Sequence, residues 1–214
     1  MITPIPPSLK CGVIDCDVGN IGSILGSMKA VGIEIDRVRN HKKISEYDVL
    51  LLPGVGAFGA YCNRLRQYGF FKALQLFSTD ETKRIIGICV GMQALVEFGN
   101  EGGLHQGLGL IPGTVDHLEL IVSQCERVPH VGWNEVIFEQ GPLQDFSGYY
   151  YFTHSYSVKL NVVKNVLAVT NHGVDFVSAI KSKNILGLQF HPEKSGTLGA
   201  KLLAHLIKFG NHYA

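Results

Sequence analysis

Apolar residues in the first half of the chain fall in short continuous runs, and amphipathic segments separate these runs. Runs of this kind are typical of parallel strands that are buried on both faces. The predicted strands cover residues 11–15, 33–38, 47–52 and 84–88. The intervening segments that predict helices cover residues 21–31, 60–68, 70–78 and 92–98. Strands that alternate with helices favour a parallel central sheet.

The second half of the chain has a different pattern, in which short β-rich runs follow one another. Their sequences are HLELIV (117–122), EVIF (135–138), YYYFTHSYSV (149–158), VLAVT (166–170), FVSAI (176–180) and ILGLQF (185–190). A last segment, residues 197–209, carries one apolar stripe at helical spacing. We therefore predict an α/β fold: an open, mainly parallel central sheet with helices on both faces and an added antiparallel β-ribbon. Because no proline- or serine-rich linker interrupts residues 11–214, we expect one domain after an N-terminal leader of residues 1–10.

Composition and charge exclude several classes of function. The 214 residues carry a formal net charge of +1, which gives no electrostatic footprint for nucleic acid or for an anionic membrane. No apolar run reaches the roughly 18 residues of a membrane helix, and the proline-containing leader does not have the pattern of a signal peptide. The five cysteines form no CxxC pair and their number is odd. We therefore expect no zinc site and a reducing, cytoplasmic location. We also expect no other metal and no cofactor.

The most specific local feature is the sequence GICVG at residues 87–91, which follows a predicted buried strand. This is the pattern of a nucleophile elbow with cysteine, Cys89, in place of serine. Small residues two before and two after the nucleophile are needed, because side chains there would collide in so sharp a turn. A helix N-terminus behind the turn favours the nucleophilic thiolate. The alternative is a small buried cysteine in a core run.

His191 and Glu193 follow the run ILGL and lie two residues apart, so an extended backbone would project them to the same side. The carboxylate can fix the tautomer of the imidazole and stabilise its cation, and the imidazole can then take the proton of a thiol. A solvated surface histidine and glutamate are the alternative. A deaminase-type zinc site also uses HxE, but the PCxxC sequence that it requires does not occur.

The sequence PGVG at residues 53–56 ends a predicted central strand. Ligands of open α/β sheets bind beyond the carboxyl ends of the strands, and two glycines there let a backbone N–H face a ligand without interference from a Cβ. The segment could supply one donor of an oxyanion hole, or it could be a plain strand-ending turn. It is not a nucleotide-binding fingerprint, since neither GxGxxG nor GxxxxGK occurs.

Together these features resemble a class I (triad) glutamine amidotransferase domain over nearly the whole chain. The sequence segments that carry the resemblance are LPGVGAFG (52–59), GICVGMQ (87–93), VPHVGWN (128–134), YFTHSY (151–156) and GLQFHPEKSG (187–196). Met92 stands before Gln93 where many relatives have histidine. With the other segments, it makes the chain similar to the branch of the family whose glutaminase subunits supply ammonia for histidine biosynthesis.

The resemblance implies a role for each matching residue. Cys89 attacks the side-chain amide of glutamine and forms a γ-glutamyl thioester. His191 is the base for Cys89 and later the acid for the departing ammonia, and Glu193 orients His191. The N–H groups of Val90 and of the Val55–Gly56 segment hold the oxyanion. The residues implied to contact the head group of glutamine are Gln93, Glu101, Ser155 and Tyr156.

The resemblance also implies a protein partner. Because ammonia released in water would be protonated and diluted, the family docks its glutaminase on a (β/α)₈ cyclase subunit that receives ammonia through an internal channel. The expected assembly is a heterodimer with this cyclase, and glutamine is the substrate. The residues implied to form the docking face are Asn20, Val131, Trp133, Tyr149, Tyr151 and Lys194. Trp133 is the only tryptophan, and tryptophan is enriched at interface hot spots.

Several of these residues also have purely structural interpretations. Gln93 could be a polar residue of the first helical turn, Glu101 an ordinary loop carboxylate and Trp133 a core aromatic. The tyrosines at 149–151 could belong to a strand whose alternate rings are buried.

The turn at residues 15–20 departs from the family pattern. It has the sequence DCDVGN where the family usually has Asp-Tyr-Gly-x-Gly-Asn, so an additional acid, Asp17, lies near the implied docking edge. This departure fits a second hypothesis, a paralogous amidotransferase subunit that feeds ammonia to another synthetase, such as one that builds an acetamidino sugar for a surface polysaccharide.

Two further hypotheses come from other classes. A non-catalytic binding subunit with the same fold would not need Cys89, His191 and Glu193 together. A cysteine-elbow peptidase or γ-glutamyl hydrolase would not need VPHVGWN and YFTHSY together.

Overall fold

The computed structural model describes residues 9–120, 127–139 and 141–209. The strands, in chain order, are β1 (Cys11–Ile14), β2 (Asp36–Val38), β3 (Val49–Gly54), β4 (Arg84–Cys89), β5 (Val96–Gly99), β6 (His105–Gln106), β7 (Ile111–His117), β8 (His130–Val136), β9 (Gly148–His154), β10 (Tyr156–Leu160), β11 (Val166–His172), β12 (Val174–Ser182) and β13 (Ile185–Leu188). The α-helices are α1 (Ile21–Ala30), α2 (Phe58–Gln67), α3 (Phe70–Phe77), α4 (Val90–Gln93) and α5 (Gly196–Phe209). Short 3-10 helices cover His41–Glu46, Leu118–Leu120, Gly141–Phe146, Val163–Asn165 and Pro192–Lys194. Residues 1–8 of the expected leader lie outside the described residues.

Neighbouring strands in the order β2-β1-β3-β4-β13 form the parallel half of the main sheet. All residues of β1, β3, β4 and β13 are buried, which explains the continuous apolar runs in the sequence. The chain crosses the sheet in opposite directions from β1 to β2 and from β3 to β4. Right-handed crossovers therefore place α1 and the α2–α3 pair on opposite faces. The prediction of an α/β fold with a parallel central sheet and helices is confirmed.

Beyond β13 the main sheet becomes mostly antiparallel. The order continues β12-β10-β7-β5-β6, and β11 pairs with β12; the β5–β7 pair is parallel. The predicted antiparallel ribbon is a separate sheet of β8 and β9. One face of this ribbon packs into the core through Tyr150 and Phe152, and the other face is exposed at Trp133 and Tyr149.

Three predicted elements were wrong. The helix predicted over residues 92–98 is the single turn α4 followed by strand β5. Of the strand predicted over residues 117–122, only His117 is in a strand, as the last residue of β7. A 3-10 turn covers Leu118–Leu120, and residues 121 and 122 lie outside the described part of the chain. The run 149–158 is two strands in two different sheets, because the chain bends at Ser155. In each case the apolar pattern of the sequence did not show where one element ends and the next begins. No helix in the described ranges is long and apolar enough to cross a membrane.

Candidate active site

Cys89 is the last residue of β4 and forms the sharp turn into helix α4. Its backbone has φ 54° and ψ −116°, a strained conformation for a residue with a side chain. A Cβ on Gly91 would lie 1.7 Å from the carbonyl oxygen of Leu52, and a Cβ on Gly87 would lie 2.6 Å from the carbonyl oxygen of Gly91. The sequence GICVG therefore folds as the elbow that its spacing predicted, and both glycines are required by contacts with backbone atoms.

His191 and Glu193 form a buried pair beside this turn. His191 Nδ1 lies 2.7 Å from Glu193 Oε1, and the two side chains are 2% and 1% exposed. The backbone N–H of His191 donates to the carbonyl oxygen of Tyr151 in the ribbon over 2.9 Å. Within the described residues, Nε2 of His191 has no hydrogen-bond partner. The imidazole is therefore oriented by Glu193 through Nδ1, and its Nε2 is left for exchange of a proton with the neighbouring Cys89 sulfur.

The pair also sets the charge of the imidazole. Burial lowers the pKa of His191, but the Cys89 sulfur and the Glu193 carboxylate outweigh burial and raise this pKa to about 9. An imidazolium in this position carries a proton that it can give to a leaving group beside the cysteine sulfur.

Other cysteines have surroundings that oppose ionisation. Burial raises the pKa of the Cys16 thiol to about 11 and that of Cys62 to about 12, and it raises the pKa of Cys11 further. Cys125 lies outside the described residues. Among the described thiols, Cys89 is thus the one placed beside a histidine–carboxylate pair.

A cavity of about 300 Å³ opens above Cys89 at the carboxyl ends of the parallel strands. It brings together most residues that the sequence predicted for catalysis, oxyanion binding and substrate binding: Val55, Gly56, Cys89, Val90, Gln93, Glu101, Ser155, Tyr156 and His191. Lys194, predicted for docking, also lines it, whereas Glu193 lies behind His191. Gly56 adopts φ 86°, a conformation that favours glycine.

Gln93 and Glu101 each have a structural partner besides lining the cavity. Gln93 Nε2 donates to the carbonyl oxygen of Tyr156 over 3.0 Å and to Oε1 of Gln189 over 3.1 Å. Glu101 Oε2 accepts from the backbone N–H of Phe58, at the start of α2, over 2.6 Å. The two readings of these residues from the sequence, structural and substrate-binding, are therefore compatible.

Gln189 is a residue of the site that the sequence reasoning did not single out. Its side chain is fully buried, and its Nε2 lies 3.9 Å from Cys89 Sγ. It follows β13 directly and precedes His191 by two residues, so the alternation of an extended segment places it on the side of His191. That alternation was the signal that could have found it.

Most of the residues predicted for docking lie on the exposed face of the β8–β9 ribbon. Val131, Trp133, Tyr149 and Tyr151 share this face, since Trp133 pairs directly with Tyr151 in the register. Trp133 is 56% exposed, so it is not a core aromatic. Lys194 Nζ lies 5.6 Å from the centre of the Tyr151 ring, next to the cavity entrance.

Asn20 is placed differently from the other residues predicted for docking. Its Nδ2 donates to Oε1 of Glu193 over 3.2 Å, the same oxygen that faces His191. Asn20 therefore contacts the buried His191–Glu193 pair directly.

The unusual turn at residues 15–20 holds a network of charges. Asp15 is buried and pairs with Arg37 and with Arg39, the latter over 2.6 Å. Burial opposes its ionisation, but these arginines outweigh burial and hold the pKa of Asp15 below its ordinary value. The carboxylate of Asp17 accepts a hydrogen bond from the guanidinium of Arg39 over 2.9 Å and another from the hydroxyl of Tyr68. The additional acid is therefore neutralised within the chain, at an edge that remains partly exposed.

Comparisons with known proteins agree with this geometry. Residues 12–208 match the model of the family described as glutamine amidotransferase class-I. The chain is 39% identical over 203 residues to the imidazole glycerol phosphate synthase subunit HisH of Sulfurimonas denitrificans, which covers 93% of this chain and 98% of that protein. It is 39% identical over 202 residues to the protein of the same name from Chlorobium chlorochromatii, which covers 92% and 98%.

Solved structures agree at the level of the fold. A structure titled as PurLQS from Thermotoga maritima has a TM-score of 0.73 at 19% identity, over 94% of this chain and 99% of that chain. Another, titled as a glutamine amidotransferase, has a TM-score of 0.72 at 18% identity, over 92% and 98%. At these identities the likeness concerns the fold alone.

Proposed function

The chain belongs to the class I glutamine amidotransferase family, and on that premise we propose that it is the glutaminase subunit of imidazole glycerol phosphate synthase. It hydrolyses glutamine to glutamate and ammonia and supplies the ammonia to a cyclase subunit in histidine biosynthesis. The observation that carries the proposal is the strained Cys89 beside the buried His191–Glu193 pair, in a chain that matches synthase subunits over nearly their full length.

The reaction begins with attack of the Cys89 sulfur on the side-chain amide carbon of glutamine. The carbonyl oxygen becomes an oxyanion, and the protonated His191 gives its Nε2 proton to the amide nitrogen, which leaves as ammonia. The product is a γ-glutamyl thioester on Cys89. Water then attacks the thioester, with His191 as the base, and releases glutamate. Glu193 holds the tautomer and the charge of His191 through both steps, which the 2.7 Å contact supports.

The oxyanion is held by backbone N–H groups that line the cavity. Val90 follows the nucleophile in the turn, and the Val55–Gly56 segment faces it from the end of β3. Removal of one such donor typically costs about 2.7–4 kcal/mol of transition-state stabilisation. Gln93, Glu101, Ser155 and Tyr156 form the remaining wall, where we place the head group of glutamine.

The partner is a (β/α)₈ cyclase in a heterodimer, docked on the exposed ribbon face. That face carries Trp133 and two tyrosines beside the cavity entrance, the residue types that dominate interface hot spots. A cytoplasmic location, favoured by the odd number of cysteines, is part of the same proposal.

The test is glutamate release from glutamine by the chain alone and then mixed with the histidine-pathway cyclase of the same organism and the nucleotide substrate of that cyclase. We expect slow hydrolysis alone, strong stimulation in the mixture and no hydrolysis by a Cys89→Ser variant in either case. Hydrolysis that needs Cys89 but is not stimulated would reject this partner and favour the paralogous subunit of another synthetase. Hydrolysis that survives in Cys89→Ser would reject the nucleophile.

A further inference from the structure

Two buried histidines, His154 in the cavity wall and His130 behind it, form a continuous chain of hydrogen bonds. His130 Nδ1 lies 3.1 Å from His154 Nε2, and His154 Nδ1 lies 2.8 Å from the carbonyl oxygen of Tyr156. At the other end, Asn134 Nδ2 lies 3.2 Å from His130 Nε2. The second hydrogen of that amide donates to the carbonyl oxygen of Asn171 over 2.8 Å. The chain thus runs from the ribbon strand β8 to the start of β10.

The direction of each hydrogen bond follows from the last acceptor. A carbonyl oxygen only accepts, so Nδ1 of His154 carries the proton and donates to Tyr156. In a neutral His154, Nε2 is then the acceptor and Nδ1 of His130 is its donor. His130 Nε2 in turn accepts from Asn134. One set of tautomers therefore gives a partner to every polar atom in this chain of hydrogen bonds.

Both rings are held in the neutral form that this direction requires. Burial lowers the pKa of His130 to about 4 and that of His154 to about 3. Aromatic rings enclose the pair: His172 stacks on His130 at 4.0 Å between ring centres, and Phe176 lies 5.1 Å from His154. The pair does not change charge near neutral pH, so its hydrogen bonds are permanent parts of the folded chain.

The chain of hydrogen bonds ends at Tyr156, which lines the cavity. The carbonyl oxygen of Tyr156 accepts both from His154 and from Nε2 of Gln93, the residue at the end of the elbow helix α4. The neighbouring carbonyl oxygen of Ser155 accepts from the backbone N–H of Leu118 over 2.8 Å. Three donors from three parts of the chain thus fix the two-residue corner that lines the cavity opposite Cys89.

We propose that His154 is a positioning residue of the glutaminase site. It holds the Ser155–Tyr156 corner at a fixed distance from the nucleophile, and His130 and Asn134 tie that corner to the inner face of β8. The outer face of the same strand carries Val131 and Trp133, so a partner seated there contacts the strand that supports the cavity wall. This inference rests on the proposed function, because it assigns His154 a role in glutamine hydrolysis.

Two substitutions separate the two ends of the imidazole. In His154→Asn, the amide nitrogen takes the place of Nδ1 and can still donate to Tyr156, while the contact with His130 is lost. In His154→Gln, the amide oxygen takes the place of Nε2 and can still accept from His130, while the donor to Tyr156 is lost. Phe176→Leu is the matched control, since it removes packing against both rings and leaves every hydrogen bond of the chain in place.

The kcat and the KM for glutamine are measured in the complex with the cyclase, together with the Tm of each variant. We expect His154→Gln to raise the KM up to about tenfold, the size that loss of one of the two hydrogen bonds to this carbonyl oxygen gives, with a smaller change in kcat. His154→Asn should recover most of the KM, and Phe176→Leu should lower the Tm without raising the KM.

Equal effects of His154→Gln and Phe176→Leu on both the Tm and the KM would overturn the inference, since packing alone would then explain them. An unchanged KM in His154→Gln would also overturn it. A failure of the proposed function is distinct, because the unmodified chain would then release no glutamate, or would release it no faster with the cyclase than alone.

Discussion

At the scale of single residues, the charge on Glu193 controls the protonation of His191. The carboxylate is buried, and its Oε1 faces both the imidazole and the amide of Asn20. Glu193→Gln keeps the size of the side chain and removes the negative charge that helps to raise the pKa of His191 to about 9. His191 gives its proton to the departing amide nitrogen from its charged form, which exists below that pKa. The alkaline limb of kcat/KM should therefore move to lower pH in the variant.

The measurement is glutamate release by the complex across a pH series from neutral to alkaline. Glu81→Gln is a suitable control, since Glu81 forms an exposed pair with Lys183 on the surface. It should leave the alkaline limb in place. An alkaline limb at the same pH in Glu193→Gln would show that another group limits the reaction at high pH.

The residues of the site could be predicted from sequence where a local motif encodes them. The small residues around Cys89 predict a sharp turn, and the spacing of His191 and Glu193 predicts that their side chains share one side. The structure places the two segments together. The contact of Asn20 with Glu193 could not be predicted in this way, because the two residues are 173 positions apart in the chain. Hydrogen bonds between such distant positions depend on the sheet order, which the sequence pattern does not specify.

At the scale of elements, the turn from β4 to α4 depends on close contact with β3. Gly91→Ala places a Cβ 1.7 Å from the carbonyl oxygen of Leu52, and a backbone atom in a central strand cannot move aside cheaply. Overpacking in a core costs about 1–3 kcal/mol and occasionally more, and we expect the upper end here, with loss of glutamine hydrolysis. The measurement is the free energy of unfolding in urea.

Gly26→Ala provides the matched control. Gly26 lies on the exposed side of α1, and a Cβ there meets no atom within 4 Å. The change should stabilise the chain by about 1 kcal/mol, because alanine is the better helix former. Equal unfolding free energies for the two variants would contradict the close packing of α4 on β3.

The elements of the parallel half were predictable because strands buried on both faces carry continuous apolar runs. The second half was harder, since its strands share sequence runs across turns. The run 149–158 is one continuous β-rich sequence, yet the bend at Ser155 sends β9 into the ribbon and β10 into the main sheet. Residues 92–98 were predicted as a helix, yet pairing with β7 makes Val96 and Phe98 part of a strand. In both cases, pairing with distant strands determined the structure and overrode the preference of the local sequence.

At the scale of the whole molecule, the cavity and the exposed ribbon face are parts of one surface. The backbone N–H of His191 donates to the carbonyl oxygen of Tyr151, whose ring lies on the outer ribbon face beside Lys194. A partner that covers this face would also cover the cavity entrance. Such an arrangement suits a glutaminase whose product has to leave through another protein and not through water.

Trp133 is the residue on which this surface is best tested. It is 56% exposed and lies 6.3 Å from Tyr151 between ring centres, in the middle of the ribbon face. Trp133→Ala should weaken binding of the cyclase by about 2 kcal/mol, or roughly thirtyfold in Kd, as for a hot-spot residue. Its own stability should change little, because an exposed side chain contributes little to the core. The measurement is the Kd of the complex by calorimetry, with Leu76→Ala as the control, since Leu76 is 74% exposed on α3. An unchanged Kd in Trp133→Ala would move the docking face away from the ribbon, and the Asp15–Asn20 turn would be the next edge to test.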